Sequence, residues 1–181
     1  WLYGTGSNAQ WNTAIGYQAM YGASGGVTTG NKNVSLGFQS MQYITSGNDN
    51  VAAGYNALQN VTTGSDNVGI GSSVMGNNMT TASYNVGVGF EALKNVSGSN
   101  NTALGRGALG SMTTGANNIG IGYYAGYGMT GDNHLAIDNQ FRAGGVPTNS
   151  LLYGTFDATP ANQSLAVNGS LQVLVGFGCN S

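Results

Sequence analysis

Apolar and small positions alternate in short bursts along this chain, and the same burst returns about every 17 residues, a period that marks a repeat architecture. Each burst opens on an asparagine: Asn12, Asn33, Asn50, Asn67, Asn85, Asn101 and Asn118. The next residue is β-branched (Thr13, Val34, Val51, Val68, Val86, Thr102, Ile119), and the one after it is tiny (Ala14, Ser35, Ala52, Gly69, Gly87, Ala103, Gly120). An aliphatic column follows, made of Ile15, Leu36, Ala53, Ile70, Val88, Leu104 and Ile121. Every burst closes on glycine: Gly16, Gly37, Gly54, Gly71, Gly89, Gly105 and Gly122. Alternation with a period of two is the signature of a strand whose faces differ. One face would stack branched side chains into an internal or axial ladder. The other is nearly bare, so that another backbone or sheet, or a neighbouring chain, could approach it closely. Seven copies in register predict parallel strands, one per repeat, in an all-β, repetitive β-roll or β-solenoid.

The spacers repeat as well. After each closing glycine comes an aromatic or polar residue (Tyr17, Phe38, Tyr55, Ser72, Phe90, Arg106, Tyr123), and two positions on a small apolar or hydroxyl residue such as Ala19, Ser40 or Val74. Met20, Met41, Leu58, Met75, Leu93 and Leu109 come next, and Gly126 breaks that column. A second apolar pair per coil predicts a second short strand. Thr-Gly, Ser-Gly and Gly-Asn pairs between the bursts are turn chemistry. The opening asparagines are expected at a turn, where stacked amides bond one another and the neighbouring backbone. Sugar binding or glycan attachment is the other reading. Asn33-Val34-Ser35 and Asn60-Val61-Thr62 match an acceptor triplet, but a chain rich in Asn, Ser and Thr yields such triplets by chance.

Two regions follow from the pattern. Residues 1–138 form the repeat region, with residues 1–11 as the tail of a preceding copy, an insertion at Tyr21–Gly26, and a degenerate last strand at Asp132–Asp138. Residues 139–181 read as a connector. It has a loop to Ser150, a short strand at Leu151–Asp157, a second loop, and a hairpin in which Asn168-Gly169 joins Ser164–Val167 to Ser170–Val175.

Composition changes the picture in one respect. The 181 residues include 32 glycines and only 6% charged residues, while 40% are apolar, close to the usual share for folded chains. Disordered chains combine low hydrophobicity with high charge, so disorder is disfavoured. A net charge of −2 provides no electrostatic footprint for nucleic acid or an anionic membrane. No run is long and apolar enough to span a bilayer as a helix. Trp1 in place of Met is what a fragment or processed product would show.

Candidate chemistry is sparse. The carboxylates are Asp49, Asp66, Glu91, Asp132, Asp138 and Asp157, scattered along the repeats, whereas glycoside hydrolysis needs two facing one groove. Asp49 and Asp66 share a repeat position and are expected on a solvated turn. His134 lies two residues from Asp132, too few ligands for a metal site, and a surface or capping role is expected of it. The single Cys179 supports no intrachain disulfide. The expectation is a non-enzyme with no catalytic residues, no metal and no cofactor.

The phrase Thr-Thr-Gly-x-x-Asn-x-Ala-x-Gly-Tyr-x-Ala-Leu, as in Thr5 to Met20 and Thr113 to Ala125, resembles the head repeats of trimeric autotransporter adhesins. It resembles the related repeats of bacteriophage tail fibres more closely, over about residues 5 to 138. The resemblance implies a parallel β-roll in which three chains associate about a common axis, forming an extracellular rod on a virion tail or bacterial surface. It also implies a host-surface glycan or protein receptor as partner, with no nucleic acid and no membrane insertion. The longer period and varied insertions depart from the adhesin head. Physics supports association independently: a coil of about 17 residues encloses a thin interior and leaves a face wet, which closed rotational symmetry buries for each subunit alike. A head-to-tail filament subunit and an ice-binding solenoid are the alternatives. The latter rests on Thr28-Thr29, Thr62-Thr63, Thr80-Thr81 and Thr113-Thr114, although adjacent residues of a strand point to opposite faces.

Overall fold

A computed structural model describes residues 9–22, 28–77, 79–141 and 151–168. Each burst forms a strand of three residues: β1 Thr13–Ile15, β2 Val34–Leu36, β3 Val51–Ala53, β4 Val68–Ile70, β5 Val86–Val88, β6 Thr102–Leu104 and β7 Ile119–Ile121. The degenerate segment supplies β8, His134–Ile137. β1 to β8 pair in parallel, each with the next in sequence. The register matches the columns: Val51 lies beside Val34 and Val68, Ala52 beside Ser35 and Gly69. The chain is an all-β solenoid.

β9 (Leu152–Thr155) and β10 (Ser164–Val167) then close the stack antiparallel, β9 on β8 and β10 on β9. A short 3-10 turn, Pro160–Asn162, lies in the loop between them. The second arm of the expected hairpin, Ser170–Val175, lies outside the described residues, as do Cys179, Trp1–Asn8 and most of the Tyr21–Gly26 insertion.

Glycine ends each strand for two reasons acting together. Gly71 has φ +134°, a conformation that side chains disfavour, and a Cβ there would meet the Gly89 carbonyl oxygen at 2.6 Å. The same contact recurs from Gly54 to Gly71 at 2.5 Å and from Gly89 to Gly105 at 2.7 Å. One backbone rests directly on the next.

The second apolar pair is not on a strand, contrary to the sequence reading. Gln39 and Met41, Asn56 and Leu58, Ser73 and Met75, and Glu91 and Leu93 alternate into the left-handed region, with φ between 46° and 57°. That winding turns the chain inward after the glycine, so no extended segment can form. One main-chain bond still joins successive coils there, for example Leu58 N–H to the Val74 carbonyl at 3.0 Å and Met75 N–H to that of Ala92 at 3.0 Å. Each left-handed non-glycine costs about 1–3 kcal/mol and persists only because the stacked coils determine it.

The bare strand face does not take the neighbouring backbone or chain expected of it, and the branched ladder is not internal. The tiny column points inward and is buried, and it admits side chains rather than another backbone or chain. A Cβ on Gly87 would sit 2.8 Å from both Met75 Cε and Val74 Cγ2. Met20, Met41, Leu58, Met75, Leu93 and Leu109 fill the interior. A third row joins them from the spacers, made of Ile44, Val61, Met79, Val96, Met112 and Met129. The second coil carries Ser35 and Ser40 instead of apolar residues, and their hydroxyls pair at 2.5 Å. The β-branched ladder is continuous and in register, but it lies on the outer surface with the aliphatic column. Leu104 is 51% exposed and Ile70 45%. The interior is too narrow for branched side chains from the strand and long ones from the turn together.

Gly71→Ala is expected to destabilise the fold by on the order of 1–3 kcal/mol, because the Cβ enters occupied space at a disfavoured φ. Thr63→Ala, at an exposed turn, is expected to change it by less than about 0.5 kcal/mol. Denaturant melts of the two variants check the difference.

Candidate functional site

The opening asparagines lie inside the coil, not on its surface. Asn33, Asn50, Asn67, Asn85, Asn101 and Asn118 are fully buried. Each Oδ1 up to that of Asn101 accepts from the next coil's asparagine: Asn50 Oδ1 receives both Asn67 N–H and Asn67 Nδ2, each at 3.0 Å. Asn67 Nδ2 also donates to the Ala82 carbonyl at 2.9 Å, and Asn33, Asn50 and Asn101 make the equivalent bond to Gly47, Gly64 and Gly115. A primary amide suits this place because it offers two donors and an acceptor on one short stem. A buried turn would otherwise strand its main-chain groups.

A second ladder runs along the rim. Asn31 N–H donates to Asn48 Oδ1 at 2.8 Å, Asn48 N–H to Ser65 Oγ, Ser65 N–H to Ser83 Oγ, and Ala116 N–H to Asp132 Oδ1 at 2.8 Å. The threonine turns form a third. Thr45 and Thr62 hydroxyls donate to the carbonyls of Thr62 and Thr80 at 3.0 and 2.8 Å.

His134 ends the asparagine ladder. Its N–H takes the bond to Asn118 Oδ1 at 2.8 Å, and its ring stacks on Tyr153 of β9 at 5.7 Å. The carboxylates are dispersed among structural tasks. Asp49 lies 3.8 Å from Lys32, Glu91 pairs with Lys94 at 2.5 Å, and Asp157 Oδ1 accepts from Thr159 N–H at 2.6 Å. Asp49 and Asp66 do occupy one exposed column on adjacent coils, in left-handed turns. A depression of about 320 Å³ at the end of the stack is lined by Leu135, Gly154, Thr155, Phe156, Gln163, Ser164 and Leu165, without a carboxylate. Among the described residues no group of three His, Cys, Asp or Glu is placed to hold a metal ion. Of the acceptor triplets named above, Asn33 has its amide buried and bonded, and Asn60 Nδ2 donates to the carbonyls of Gly76 and Asn77.

The outward face of the strands is largely apolar. Beyond the β-branched and aliphatic columns, the residues after the glycines stack their rings. Tyr17 lies on Phe38 at 5.3 Å and Phe38 on Tyr55 at 5.5 Å, with interplanar angles of 20° and 10°. Farther along, the Arg106 guanidinium lies 5.3 Å over Phe90 and 6.0 Å from the Tyr123 ring centre. The strand face and this aromatic ridge were visible in the sequence as columns. The Ile44-to-Met129 row was missed, although it follows the closing glycine by seven residues in every one of these coils but that of Met79, where the step is eight. No family model, curated protein or solved structure matches the chain.

Asn67→Ala removes four hydrogen bonds and orphans the Ala82 carbonyl and the Asn85 main-chain N–H, while the N–H of residue 67 keeps its bond to Asn50 Oδ1. At about 1–3 kcal/mol per orphaned buried group, the loss is on the order of 3 kcal/mol. Asn48→Ala, on the rim, is expected to lose about 1 kcal/mol or less. Chemical denaturation read by circular dichroism separates the two.

Proposed function

We propose that the chain is a non-catalytic segment of an extracellular rod, of the tail-fibre or surface-fibre kind, in which parallel copies pack about a common axis. The observation that carries this reading is the outward strand face. Coil after coil presents a branched and an aliphatic residue to the surface, with Ile15 63%, Val86 39% and Leu104 51% exposed, although the chain already has a complete core. An uninterrupted apolar strip of this kind marks an interaction surface. Cyclic association covers the strip on every copy at once. Threefold order comes from the resemblance of the repeat to fibre and adhesin sequences.

Eight parallel strands at about 4.8 Å spacing span roughly 34 Å, a short length of shaft. The charge on the surface is too low to oppose association. The role assigned is structural and receptor-presenting: the strip would bind copies of the chain, while the turn ridges face outward toward a host-surface glycan or protein. Two observations weigh against the alternatives. β9 and β10 cover the last parallel strand with antiparallel pairing, which is no template for head-to-tail growth at that end. Thr45 and Thr62 hydroxyls are engaged by carbonyls, which removes them from any ordered array for ice.

The wild-type chain is expected to run at three times its own mass in light scattering at micromolar concentration. Ile70→Asp combined with Leu104→Asp, both outward, is expected to weaken assembly by about 2 kcal/mol or more per buried carboxylate. A stable wild-type monomer would end the rod reading.

A further inference from the structure

Three columns on the turn that follows the strands lose their large side chains on the same coil. The first carries an aromatic ring or the Arg106 guanidinium on its coils, but a hydroxyl at Ser72. The second runs through Gln39, Asn56 and Glu91 but shrinks to Ser73, and the third runs through Gln59 and Lys94 but has Gly76. Main-chain bonds set these residues on neighbouring rungs: Ser73 N–H donates to the Tyr55 carbonyl at 2.8 Å, and Glu91 N–H to that of Ser72 at 3.0 Å. Tyr55 and Asn56 therefore stand one rung below the gap, and Phe90 and Glu91 one rung above it. A similar dip at Gly107 is filled by the chain itself, since a Cβ there would lie 2.4 Å from Tyr124 Cδ1. Among the described residues no ring stacks between Tyr55 and Phe90.

The gap is a slot with apolar walls and a polar floor. Phe38 covers one face of the Tyr55 ring at 5.5 Å, and Arg106 covers one face of Phe90 at 5.3 Å, which leaves bare the faces turned toward Ser72. Tyr55 and Phe90 are 52% and 44% exposed. Two rungs hold the rings roughly 10 Å apart, so that one further ring fits at about 5 Å from each. Ser72 and Ser73 are half-buried, and their hydroxyls bond no described residue. Asn56 Oδ1 is buried and accepts no hydrogen bond, a demand the chain itself leaves unmet. Glu91 bonds Lys94 at 2.5 Å, so the two charges at the upper wall neutralise each other. Gly76 ends the slot, buried and with Asn60 Nδ2 on its carbonyl at 2.5 Å.

We propose that this slot binds one neutral hexopyranose residue of a surface glycan. A pyranose chair presents C–H groups on its two faces and hydroxyls around its rim. Laid between Tyr55 and Phe90, it sets its faces against the rings and its rim toward the Ser72 and Ser73 hydroxyls and the Glu91 carboxylate. A phenyl ring from a protein partner would match the thickness but bring no donors or acceptors to that floor. The Glu91–Lys94 pair leaves no cation there to select an acidic sugar. This rests on the receptor-presenting role proposed above, gives it a ligand class and a place, and holds whatever the number of chains in the rod.

The test is binding of the full chain to an array of printed neutral and acidic glycans, beside three variants. The wild-type chain is expected to bind glycans that expose a neutral hexopyranose. Ser72→Tyr restores the ring column and fills the slot, and is expected to lower binding about tenfold or more while the denaturation midpoint holds. Tyr55→Ala removes one wall and is an independent arm, with an expected loss of about tenfold. Thr63→Tyr, on another turn, is expected to leave binding unchanged. Binding that survives Ser72→Tyr, or is confined to acidic sugars, would overturn the slot and leave the glycan-presenting role standing. A wild-type chain that binds no printed glycan would overturn both, with light scattering still deciding the rod by itself.

Discussion

Each coil can stand only on a coil of the same backbone shape. The strands are three residues long and hold few bonds by themselves, so the stack depends on main-chain bonds that continue through the turns. Val68 N–H reaches the Asn85 carbonyl above it, and Gly71 N–H reaches the Ala53 carbonyl below, each at 2.8 Å. The unusual features of the chain serve this one requirement. Left-handed residues before the asparagine and after the glycine turn the chain at the same place in every coil. Their conformational cost is repeated coil after coil, and it is offset because each turn leaves its N–H and C=O groups paired with the next layer.

Stacking identical turns creates a buried polar problem that side chains solve. The asparagine amides line the turn interior and bond in both directions, so insertions of different length between bursts are tolerated as long as the amide regains its partners. The steps between asparagines vary from 16 to 21 residues while the ladder stays intact. At its end the pattern changes on purpose-suited chemistry: His134 keeps the last main-chain bond, replaces the amide with a ring, and offers that ring to Tyr153. A parallel stack thereby passes into an antiparallel cap.

The thin interior has a consequence for assembly. Leu and Met side chains from the turns reach across to glycine and alanine on the strand, and the Ile44-to-Met129 row fills the rest of the interior. The branched strand residues are consequently displaced to the surface. A chain with only 6% charged residues then carries an apolar strip that its described residues leave exposed. The same geometry that completes the core produces the candidate interface.

The sequence alone determined the strand positions, the parallel pairing and the register, because a period-two burst repeated in phase leaves one way to stack β-branched, tiny and aliphatic columns. It also marked the glycine column as a place without room. Which face of the strand is the core was decided only by the tertiary structure. Alternation shows that two faces differ, but the inward one follows from where Leu58, Met75 and Leu93 come back after a left-handed turn, and φ is not written in residue type when Met, Leu and Gln all adopt it. The third core row stands in the sequence as a column seven residues after the closing glycine, eight at Met79, but only the closed coil shows that it turns inward. The asparagines read as stacked amides at a turn, but that the turn lies out of water was decided by the closed coil, because burial is a property of the stack rather than of any single repeat.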